Sequence, residues 1–348
     1  MHIGIIGRPS CGKSTVFRAL TGTDQQASRA HKTDVRVVEV PDPRLQTLAR
    51  MYSPRKVTPA VVTFVDPVLA GQTGALFAAS LLSLMRDADA LAHVVGVFGD
   101  DTDPVRDFND LNSEILLADL AVVEKRLERV TKDLGKMKQA DLQKEQQLLR
   151  RCQEALEDER PLRCMEFSDS EQTFLRGFGL LSSKPQMVVL NLDEERRPGA
   201  AALARSFRTR LADDGVQVMN VYGQIESEMA QLGAEEAELF QQDLGLQESG
   251  LDRFIRASFE LLGLCAFFTV GEKEVRAWTI PQGAAAQQAA GAIHSDLARG
   301  FIRAEVIHYD DLVASGSMAK GREAGKLRIE GKTYRVQDGD VLTIRFNV

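Results

Sequence analysis

With 348 residues, the chain is long enough for two or three compact domains, and its 44% hydrophobic and 27% charged residues are typical of a globular protein. A net charge of −7 at pH 7 argues against a chain that wraps nucleic acid as a whole, although a local basic face stays open. The cysteines and histidines are scattered without disulfide or zinc-ligand spacing, and no apolar run is long enough for a membrane span or fits a signal peptide. We therefore expect a cytoplasmic protein.

The first motif is a phosphate-binding loop. A strand-like run at 2–6 is followed by G-R-P-S-C-G-K-S at 7–14 and by a helix-like segment at 16–20. Glycines at both ends of such a loop let the backbone N–H groups point at phosphate oxygens, and the helix start adds partial positive charge. The lysine should reach the β- and γ-phosphates, and the serine hydroxyl should bind Mg²⁺. The predicted nucleotide-binding residues are Arg8, Pro9, Ser10, Cys11, Gly12, Lys13, Ser14 and Thr15.

Asp66 ends the next strand candidate, the apolar run at 60–65. A P-loop fold places its magnesium-organising aspartate at the end of such a strand. A strand-ending carboxylate is common by itself, but after a P-loop the functional interpretation is favoured. We predict that Ser14 and Asp66 bind the metal and that Lys13 and Asp66 are the catalytic residues.

The residues at 113–160 predict a helical insertion. Apolar residues recur there at alternating spacings of four and three, and a second apolar run follows the polar stretch 138–141. The two runs are Leu116, Leu120, Val123, Leu127, Val130, Leu134 and Met137, then Leu142, Leu149, Cys152 and Leu156. This pattern predicts an antiparallel coiled-coil hairpin. Basic and acidic residues alternate on it, so a solvated face is favoured over an RNA contact.

A later strand candidate, 185–190, leads into a tetrapeptide that is a candidate base reader. GTPases carry Asn-Lys-x-Asp at this point of the fold, and the aspartate reads guanine. Here Asn191 is kept, but Leu192 occupies the lysine position and Glu194 the aspartate position. Guanine reading is therefore impaired, and adenine is at least as well accommodated.

A second loop should complete the base site. The strand candidate 216–221 leads into Tyr222, Gly223 and Gln224, which align with the small-residue motif whose amides touch the base. Gly223 matches that motif in size and Tyr222 does not. We predict that this loop contributes through its main chain.

The last part of the chain, 268–348, predicts a second compact unit. Alternating stretches at 274–279, 302–307, 326–329 and 341–346 indicate a small mixed sheet, and one helix is expected near 286–297. Six basic residues cluster late in it: Lys320, Arg322, Lys326, Arg328, Lys332 and Arg335. They suit phosphate contacts with RNA and equally suit an ordinary charged surface. Trp278 and Phe301 are interpreted as core residues.

Taken together, the motifs resemble the YchF/Obg-like ATPase family. The resemblance rests on the P-loop, the Asn-x-x-Glu tetrapeptide and the stretches 41–45 (P-D-P-R-L), 273–281 (K-E-V-R-A-W-T-I-P), 300–307 (G-F-I-R-A-E-V-I) and 336–341 (V-Q-D-G-D-V), with R-F-N-V at 345–348. It implies an α/β fold with a doubly wound GTPase-like domain at 1–112 and 161–267, the hairpin at 113–160, and a β-grasp TGS domain at 268–348. It also implies ATP preferred over or alongside GTP, and a ribosome-associated regulatory role.

The chain departs from the family pattern at both switch loops. The region 25–36 matches poorly, and Thr33 is only a candidate for the threonine that senses the γ-phosphate. Leu69 stands where the family has a glycine that lends an N–H to the γ-phosphate, and this second loop is contracted. Ser10 replaces an asparagine that helps to hold a monovalent cation in related enzymes, and Gln72 is interpreted as an exposed loop residue.

Two functions follow from these residues. The first is a slow Mg²⁺-dependent NTPase, with ATP preferred over GTP, that works by positioning and charge stabilisation without a covalent intermediate. The second is a hydrolysis-deficient nucleotide-binding adaptor that docks on a ribosomal or protein partner. The altered switches favour the second, and family precedent for turnover without a catalytic glutamine favours the first, which we adopt. The expected partner is the ribosome or RNA, bound through the hairpin and the TGS domain, without membrane or sequence-specific DNA contacts.

Overall fold

The computed structural model describes residues 1–22, 33–67, 80–81, 83–99, 102–135, 140–211, 215–244, 246 and 248–347. Its strands are β1 His2–Ile6, β2 Thr33–Glu39, β3 Val57–Thr58, β4 Val61–Pro67, β5 Ala90–Val97, β6 Gln186–Leu192, β7 Gln217–Val221, β8 Leu264–Thr269, β9 Val275–Pro281, β10 Phe301–His308, β11 Arg328–Glu330 and β12 Asp340–Phe346. Its helices are α1 Lys13–Thr21, α2 Pro43–Tyr52, α3 Pro104–Leu134, α4 Ala140–Glu157, α5 Asp169–Arg176, α6 Ala200–Arg210, α7 Gly223–Met229, α8 Ala234–Asp243, α9 Gly250–Leu261, α10 Ala286–Ile293, α11 Ser295–Arg299, α12 Tyr309–Ser315 and α13 Met318–Glu323.

The chain divides into two compact units, and the first comprises Met1–Arg36 and Thr63–Phe254. Its sheet has the strand order β2-β4-β1-β5-β6-β7. The pairs β1–β4, β1–β5, β5–β6 and β6–β7 are parallel. Every residue of β5 and β6 is buried, as expected for strands of a parallel sheet covered on both faces. The α/β fold with a parallel, helix-covered sheet is confirmed, although the sequence analysis overlooked β5.

The helical hairpin is confirmed as well. Helix α3 begins at Pro104, where the Asp103 side chain accepts a hydrogen bond from the Arg106 N–H at 3.0 Å. Its first turns belong to the apolar core beside the sheet through Phe108, Leu111 and Ile115. Its later turns pack on α4 through the predicted seam, in which Leu116, Val123, Val130, Leu149, Cys152 and Leu156 are buried. The same helix therefore covers the sheet and forms half of the hairpin.

A buried carboxylate anchors the base of the hairpin. Asp119 on α3 accepts hydrogen bonds from the N–H groups of Leu181 at 3.1 Å and Ser182 at 2.7 Å. Burial raises the pKa of this carboxyl group, and the two amide donors oppose that rise. The contact joins α3 to the segment that leads into β6.

The second unit comprises Val37–Val62 and Ile255–Val348. Its mixed sheet has the order β11-β10-β12-β8-β9-β3, with β8–β12 and β3–β9 parallel and β8–β9, β10–β11 and β10–β12 antiparallel. Phe301 is buried in its core and Trp278 packs against that core, which confirms the interpretation of both as core residues.

One detail of this unit differs from expectation. The helix expected near 286–297 is broken at His294, whose backbone is extended and whose Nδ1 accepts from the Asp296 N–H at 3.2 Å. The imidazole therefore caps a new short helix, α11, instead of continuing α10.

The two compact units differ from the predicted domains in where they divide the chain. The compact-unit division places 37–62 with the carboxyl-terminal residues, whereas the predicted domains place this segment in the nucleotide-binding domain. The domain bounds and the TGS assignment remain predictions. Among the described residues, no helix combines the length and apolarity that crossing a bilayer requires.

Candidate functional site

The predicted P-loop lies between β1 and α1 and has a curled backbone. Ser10 and Gly12 both have positive φ angles, 66° and 82°. The Gly12 carbonyl accepts from the N–H groups of Thr15 and Val16, both at 3.0 Å, and so starts the helix. The amides of Lys13 and Ser14 lie in the first turn, where a helix supplies no acceptor. The segment therefore presents N–H donors at a helix N-terminus, as an anionic phosphate requires.

Cys11 fixes the inner side of this loop. Its thiol is buried, and burial raises its pKa to about 11, so it is an inert packing group. A Cβ on Gly7 would lie 2.6 Å from the Cys11 Sγ and 2.6 Å from the carbonyl oxygen of Val94. Only glycine fits at position 7, because the neighbouring strand approaches the loop so closely.

Lys13 and Asp66 meet at the open end of the loop. The Lys13 Nζ donates to Asp66 Oδ1, and the Pro67 carbonyl oxygen lies 3.4 Å from the same nitrogen. Asp66 is 6% exposed. Burial raises the pKa of its carboxyl group, and the Lys13 charge opposes that rise. The structure therefore brings together two residues that lie 53 positions apart in the sequence.

The oxygen donors here suit magnesium. The Ser14 hydroxyl is exposed in the first turn of α1, and Asp66 supplies a carboxylate at the end of β4. Mg²⁺ prefers such hard oxygen ligands and is commonly held by one or two side chains together with substrate phosphates. Within the described ranges, no cluster of three or more His, Cys, Asp or Glu side chains forms an all-protein metal cage. The donor set fits a metal held jointly with a nucleotide.

Arg8 points towards α3. Its Nη1 lies 3.3 Å from the Asp107 carboxylate and also contacts Asp110. These groups are partly exposed, so the ion pairs are weak and exchangeable. Pro9 and Ser10 are exposed at the loop tip, and Pro9 has no N–H to donate.

Asn191 joins the phosphate end of the site to the predicted base end. Its Nδ2 donates to the Cys11 carbonyl at 3.1 Å, and its Oδ1 accepts from the Gly223 N–H at 2.9 Å. The side chain is buried and uses both ends of its amide group. A Cβ on Gly223 would lie 2.7 Å from the Asn191 Oδ1, so glycine is required for this approach. Asn191 is thus a tether between two loops.

The remaining predicted base-site side chains have different surroundings. Leu192 and Tyr222 are buried in the apolar core that includes Phe207 and Ile225. Their side chains fill the core, so any base contact from these positions falls to the main chain. Glu194 is exposed. Gln224 is also exposed and donates to Glu228 at 2.8 Å within α7.

A carboxylate missed by the sequence analysis joins the helix that follows the second loop to the start of α9. Glu226 is buried on α7 and accepts from the Ser249 hydroxyl at 2.8 Å and from the Gly250 N–H at 2.6 Å. Burial raises its pKa, and those two donors oppose the rise. The signal available in the sequence was an acidic residue three positions after Gly223 and next to the apolar Ile225.

Much of both switch loops lies outside the described residues. Thr33 is described and begins β2. Leu69 and Gln72 lie outside the described residues, and so does 25–32 of the first switch region. The interpretations of these positions remain predictions.

The basic cluster of the second unit is partly ion-paired. Arg322 lies 3.0 Å from Glu305, Lys326 lies 3.2 Å from Asp311, and Arg328 lies 3.6 Å from Glu330. These contacts favour the ordinary charged surface. The basic side chains of these pairs are exposed, however, and are therefore accessible to phosphate groups, although Glu305 itself is buried.

A cavity of about 710 Å³ lies elsewhere in the first unit. It is bordered by the residues just before β1, β5 and β6, such as Met1, Asp89 and Pro185. The P-loop follows the carboxyl end of β1, so the cavity is at the opposite edge of the sheet. It contains none of the predicted site residues.

Comparison with known proteins gives a consistent result. A family model described as "50S ribosome-binding GTPase" matches residues 2–150, and the model YchF-GTPase_C, described as "Protein of unknown function (DUF933)", matches residues 264–347. The chain is similar to "Ribosome-binding ATPase YchF" of Bacillus subtilis (strain 168), with 44% identity and 99% of both chains covered. The protein of that name from Escherichia coli O157:H7 is 39% identical, again with 99% of both covered. The solved Schizosaccharomyces pombe YchF GTPase superposes with a TM-score of 0.88 at 29% identity, covering 99% of this chain and 97% of that one.

Proposed function

Because this chain belongs to the YchF family, we propose that it binds ATP with Mg²⁺ at the P-loop and hydrolyses it slowly, as a ribosome-associated regulatory protein. The observation that carries the proposal is the contact between Lys13 and Asp66 at the mouth of the curled loop. A triphosphate site needs a cation for the phosphates and an anion for the metal, and this contact presents both at one point.

The parts of this site have distinct tasks. Lys13 and the amides of the first turn of α1 bind the phosphates, and Ser14 and Asp66 would hold Mg²⁺. When bound, the ion would supply charge neutralisation on the phosphate oxygens. The tether through Asn191 keeps the loop in register with the segment at Gly223, where the base is expected. Such a site accelerates transfer to water by positioning and electrostatics alone, which agrees with slow turnover.

Adenine is proposed over guanine because of the Leu192 and Glu194 positions. Guanine readers use a lysine whose stem covers the base, but Leu192 is 2% exposed and packs in the core. The relatives' names differ on this point, since the Bacillus subtilis protein is named an ATPase and the solved Schizosaccharomyces pombe protein a GTPase. The buried position of Leu192 supports ATP.

A hydrolysis-deficient adaptor is the second candidate. It is favoured by Leu69, which stands where the resemblance places a glycine N–H for the γ-phosphate. In that case nucleotide binding alone would regulate docking on the ribosome.

A titration with fluorescent ATP and GTP analogues in Mg²⁺, combined with phosphate release, tests the proposal. The variants are Lys13→Ala and a matched control, Lys144→Ala, which removes an exposed lysine on α4. We expect ATP to bind more tightly than GTP, and Lys13→Ala to weaken binding about 100-fold because a charged hydrogen-bond donor is lost. Phosphate release above the Lys13→Ala background supports the ATPase. Tight binding without release, even with ribosomes and K⁺ added, leaves the adaptor.

A further inference from the structure

The stretch 41–45, P-D-P-R-L, contributes nothing to the nucleotide site described above, yet it has a well-defined structure. Asp42 caps α2 by accepting from the Arg44 N–H at 2.9 Å. The Arg44 side chain then binds the same carboxylate, with its Nη2 2.8 Å from Asp42 Oδ2. The motif is therefore a helix start whose capping carboxylate is held in place by an arginine.

The same arginine also reaches the carboxyl-terminal part of its unit. Its Nη1 donates to Asp338 Oδ2 at 2.6 Å, and its guanidinium lies 5.3 Å from the centre of the Phe268 ring. Asp338 Oδ1 in turn accepts from the Ala266 N–H at 2.9 Å. Arg44 thus joins α2 to β8 and to the loop before β12. We name these contacts the Arg44 clamp.

The end of the 37–62 segment is attached to the carboxyl-terminal part independently. Thr58 donates to Glu274 at 2.6 Å, and β3 pairs in parallel with β9. The Arg55 N–H donates to the Glu272 carbonyl at 3.1 Å. The whole segment is folded as part of the carboxyl-terminal unit.

The course of the chain connects this segment to the nucleotide site. The chain enters the 37–62 segment along β2 and leaves it along β4. At the junction of the segment with these two strands, the Val40 N–H donates to the Ala60 carbonyl at 2.8 Å. Strand β4 starts at Val61, inside the second unit, and ends just after Asp66. Four residues from Val62 to Asp66 span only about 13 Å of strand. The proposed metal ligand therefore lies on a short strand whose beginning is held by the carboxyl-terminal unit.

We infer that Arg44 is a positioning residue for the metal ligand Asp66, acting through the start of β4. This inference rests on the proposed function, since it assumes that Asp66 holds Mg²⁺. The clamp fixes α2 at the start of the segment that feeds β4, and Thr58 and β3 fix its end, so loss of the clamp removes one of the two attachments that set where β4 begins. A metal ligand must be held to within about 0.5 Å, and errors of about 1 Å are costly.

The test is the Mg²⁺ dependence of ATP binding by the full chain. We expect Arg44→Ala to raise the Mg²⁺ concentration for half-maximal ATP binding about tenfold, while ATP affinity in EDTA stays within about twofold, because the P-loop itself is unchanged. Arg44→Lys should recover part of the effect, since it keeps one charged contact but not the planar fork. Arg50→Ala is the matched control, because it removes an exposed arginine from the same helix.

Each outcome decides the inference. An Arg44→Ala protein that melts earlier but keeps the wild-type Mg²⁺ midpoint shows a purely structural clamp and overturns it. If Arg44→Ala does not fold, Asp338→Asn decides, because the asparagine still accepts from the Ala266 N–H but loses the ion pair with Arg44. An unchanged midpoint in that variant overturns the inference equally. A wild-type protein whose ATP binding ignores Mg²⁺ contradicts the proposed function itself, and that result is visible before any variant is made.

Discussion

The phosphate end and the base end of the site are built differently. The phosphate end is a curled backbone with charged side chains at its mouth, namely Lys13 and Asp66. At the base end, Leu192 and Tyr222 are packed in the core, and the Asn191 amide spans two loops through both its nitrogen and its oxygen. One end works through charge and backbone shape, and the other through packing.

This difference predicts two kinds of failure. Changes at the phosphate end should abolish nucleotide binding because they remove donors or block the curl. Changes at the base end should act first on stability, because the side chains there belong to the core. The following predictions test that division.

The largest effect is expected from Gly12→Ala. Gly12 has a φ of 82°, and an added Cβ would lie 2.0 Å from the Asn191 Nδ2. The methyl group must displace the tether in addition to tolerating a left-handed backbone, so we expect loss of ATP binding and destabilisation of about 2–4 kcal/mol. Calorimetric titration and chemical denaturation measure the two effects.

Gly22→Ala is the matched control at the other end of α1. Gly22 also has a positive φ, 60°, but an added Cβ would meet nothing within 4 Å. It should cost only about 1–2 kcal/mol of backbone strain and leave ATP affinity unchanged. Equal loss of binding in both variants would show that strain alone, and not the tether, explains the Gly12 effect.

Leu192→Lys separates packing from base reading. A sequence-based view predicts that lysine restores guanine recognition at this position. Because Leu192 is 2% exposed within the core, we expect instead a loss of about 3 kcal/mol or more in the free energy of unfolding and no gain in GTP affinity. Guanidinium denaturation and GTP titration check this. A stable variant that binds GTP more tightly would mean that the side chain reaches the base after all.

Asn191→Ala should have an intermediate effect at both ends. It leaves the Cys11 carbonyl and the Gly223 N–H without their partner, which costs about 1–3 kcal/mol of stability. Nucleotide affinity should fall with it, because the two loops lose their common tether. Asn220→Ala is the control. Asn220 is an asparagine of the same unit, but its side chain donates to the Ala200 carbonyl at 3.0 Å and does not join the two loops. If both variants lose affinity equally, the tether has no special role.

The last prediction concerns the pH dependence of the free energy of unfolding, which a buried histidine between the two ends of the site should cause. His93 lies on β5 between β1 and β6, the strands that lead to the P-loop and to Asn191. Burial lowers its pKa to about 3, so the folded state keeps the imidazole neutral while the unfolded chain protonates it near pH 6.5. Its contribution is therefore present above pH 6.5 and is lost as the pH falls towards 3, by about 2 kcal/mol at pH 5.

Thermal unfolding between pH 7.5 and 5 tests this dependence. His93→Phe should flatten the pH profile, since the ring already stacks on Phe108 at 5.0 Å and phenylalanine does not titrate. A profile as steep as that of the wild type would assign the acid sensitivity to other groups, such as buried carboxylates.

The same contrast explains what could be predicted from the sequence. The P-loop is a continuous segment with local conformational demands, so its pattern was readable, and the hairpin seam repeats often enough to be recognised. Strand β5 was overlooked because a short apolar run without alternation does not distinguish a strand from a buried helix. The contacts of Asn191 join residues 180 positions apart, which no local pattern encodes.

Leu192 shows how a motif position misleads. Its alignment with Asn-Lys-x-Asp predicts a base-site residue. The two-residue period of a strand places Leu190 and Leu192 on one face and Asn191 on the other, and the structure shows both leucines in the same core. The signal was present in the strand period rather than in the motif.

The most direct test of a Mg²⁺-dependent ATP site is a calorimetric titration of ATP with Mg²⁺ and with EDTA, for the wild type and Asp66→Asn. We predict that Mg²⁺ strengthens ATP binding to the wild type, and that this gain disappears in Asp66→Asn while binding in EDTA is kept through Lys13. A variant that retains the full Mg²⁺ gain would contradict the assignment of Asp66 as the metal ligand and, with it, the account of the phosphate end.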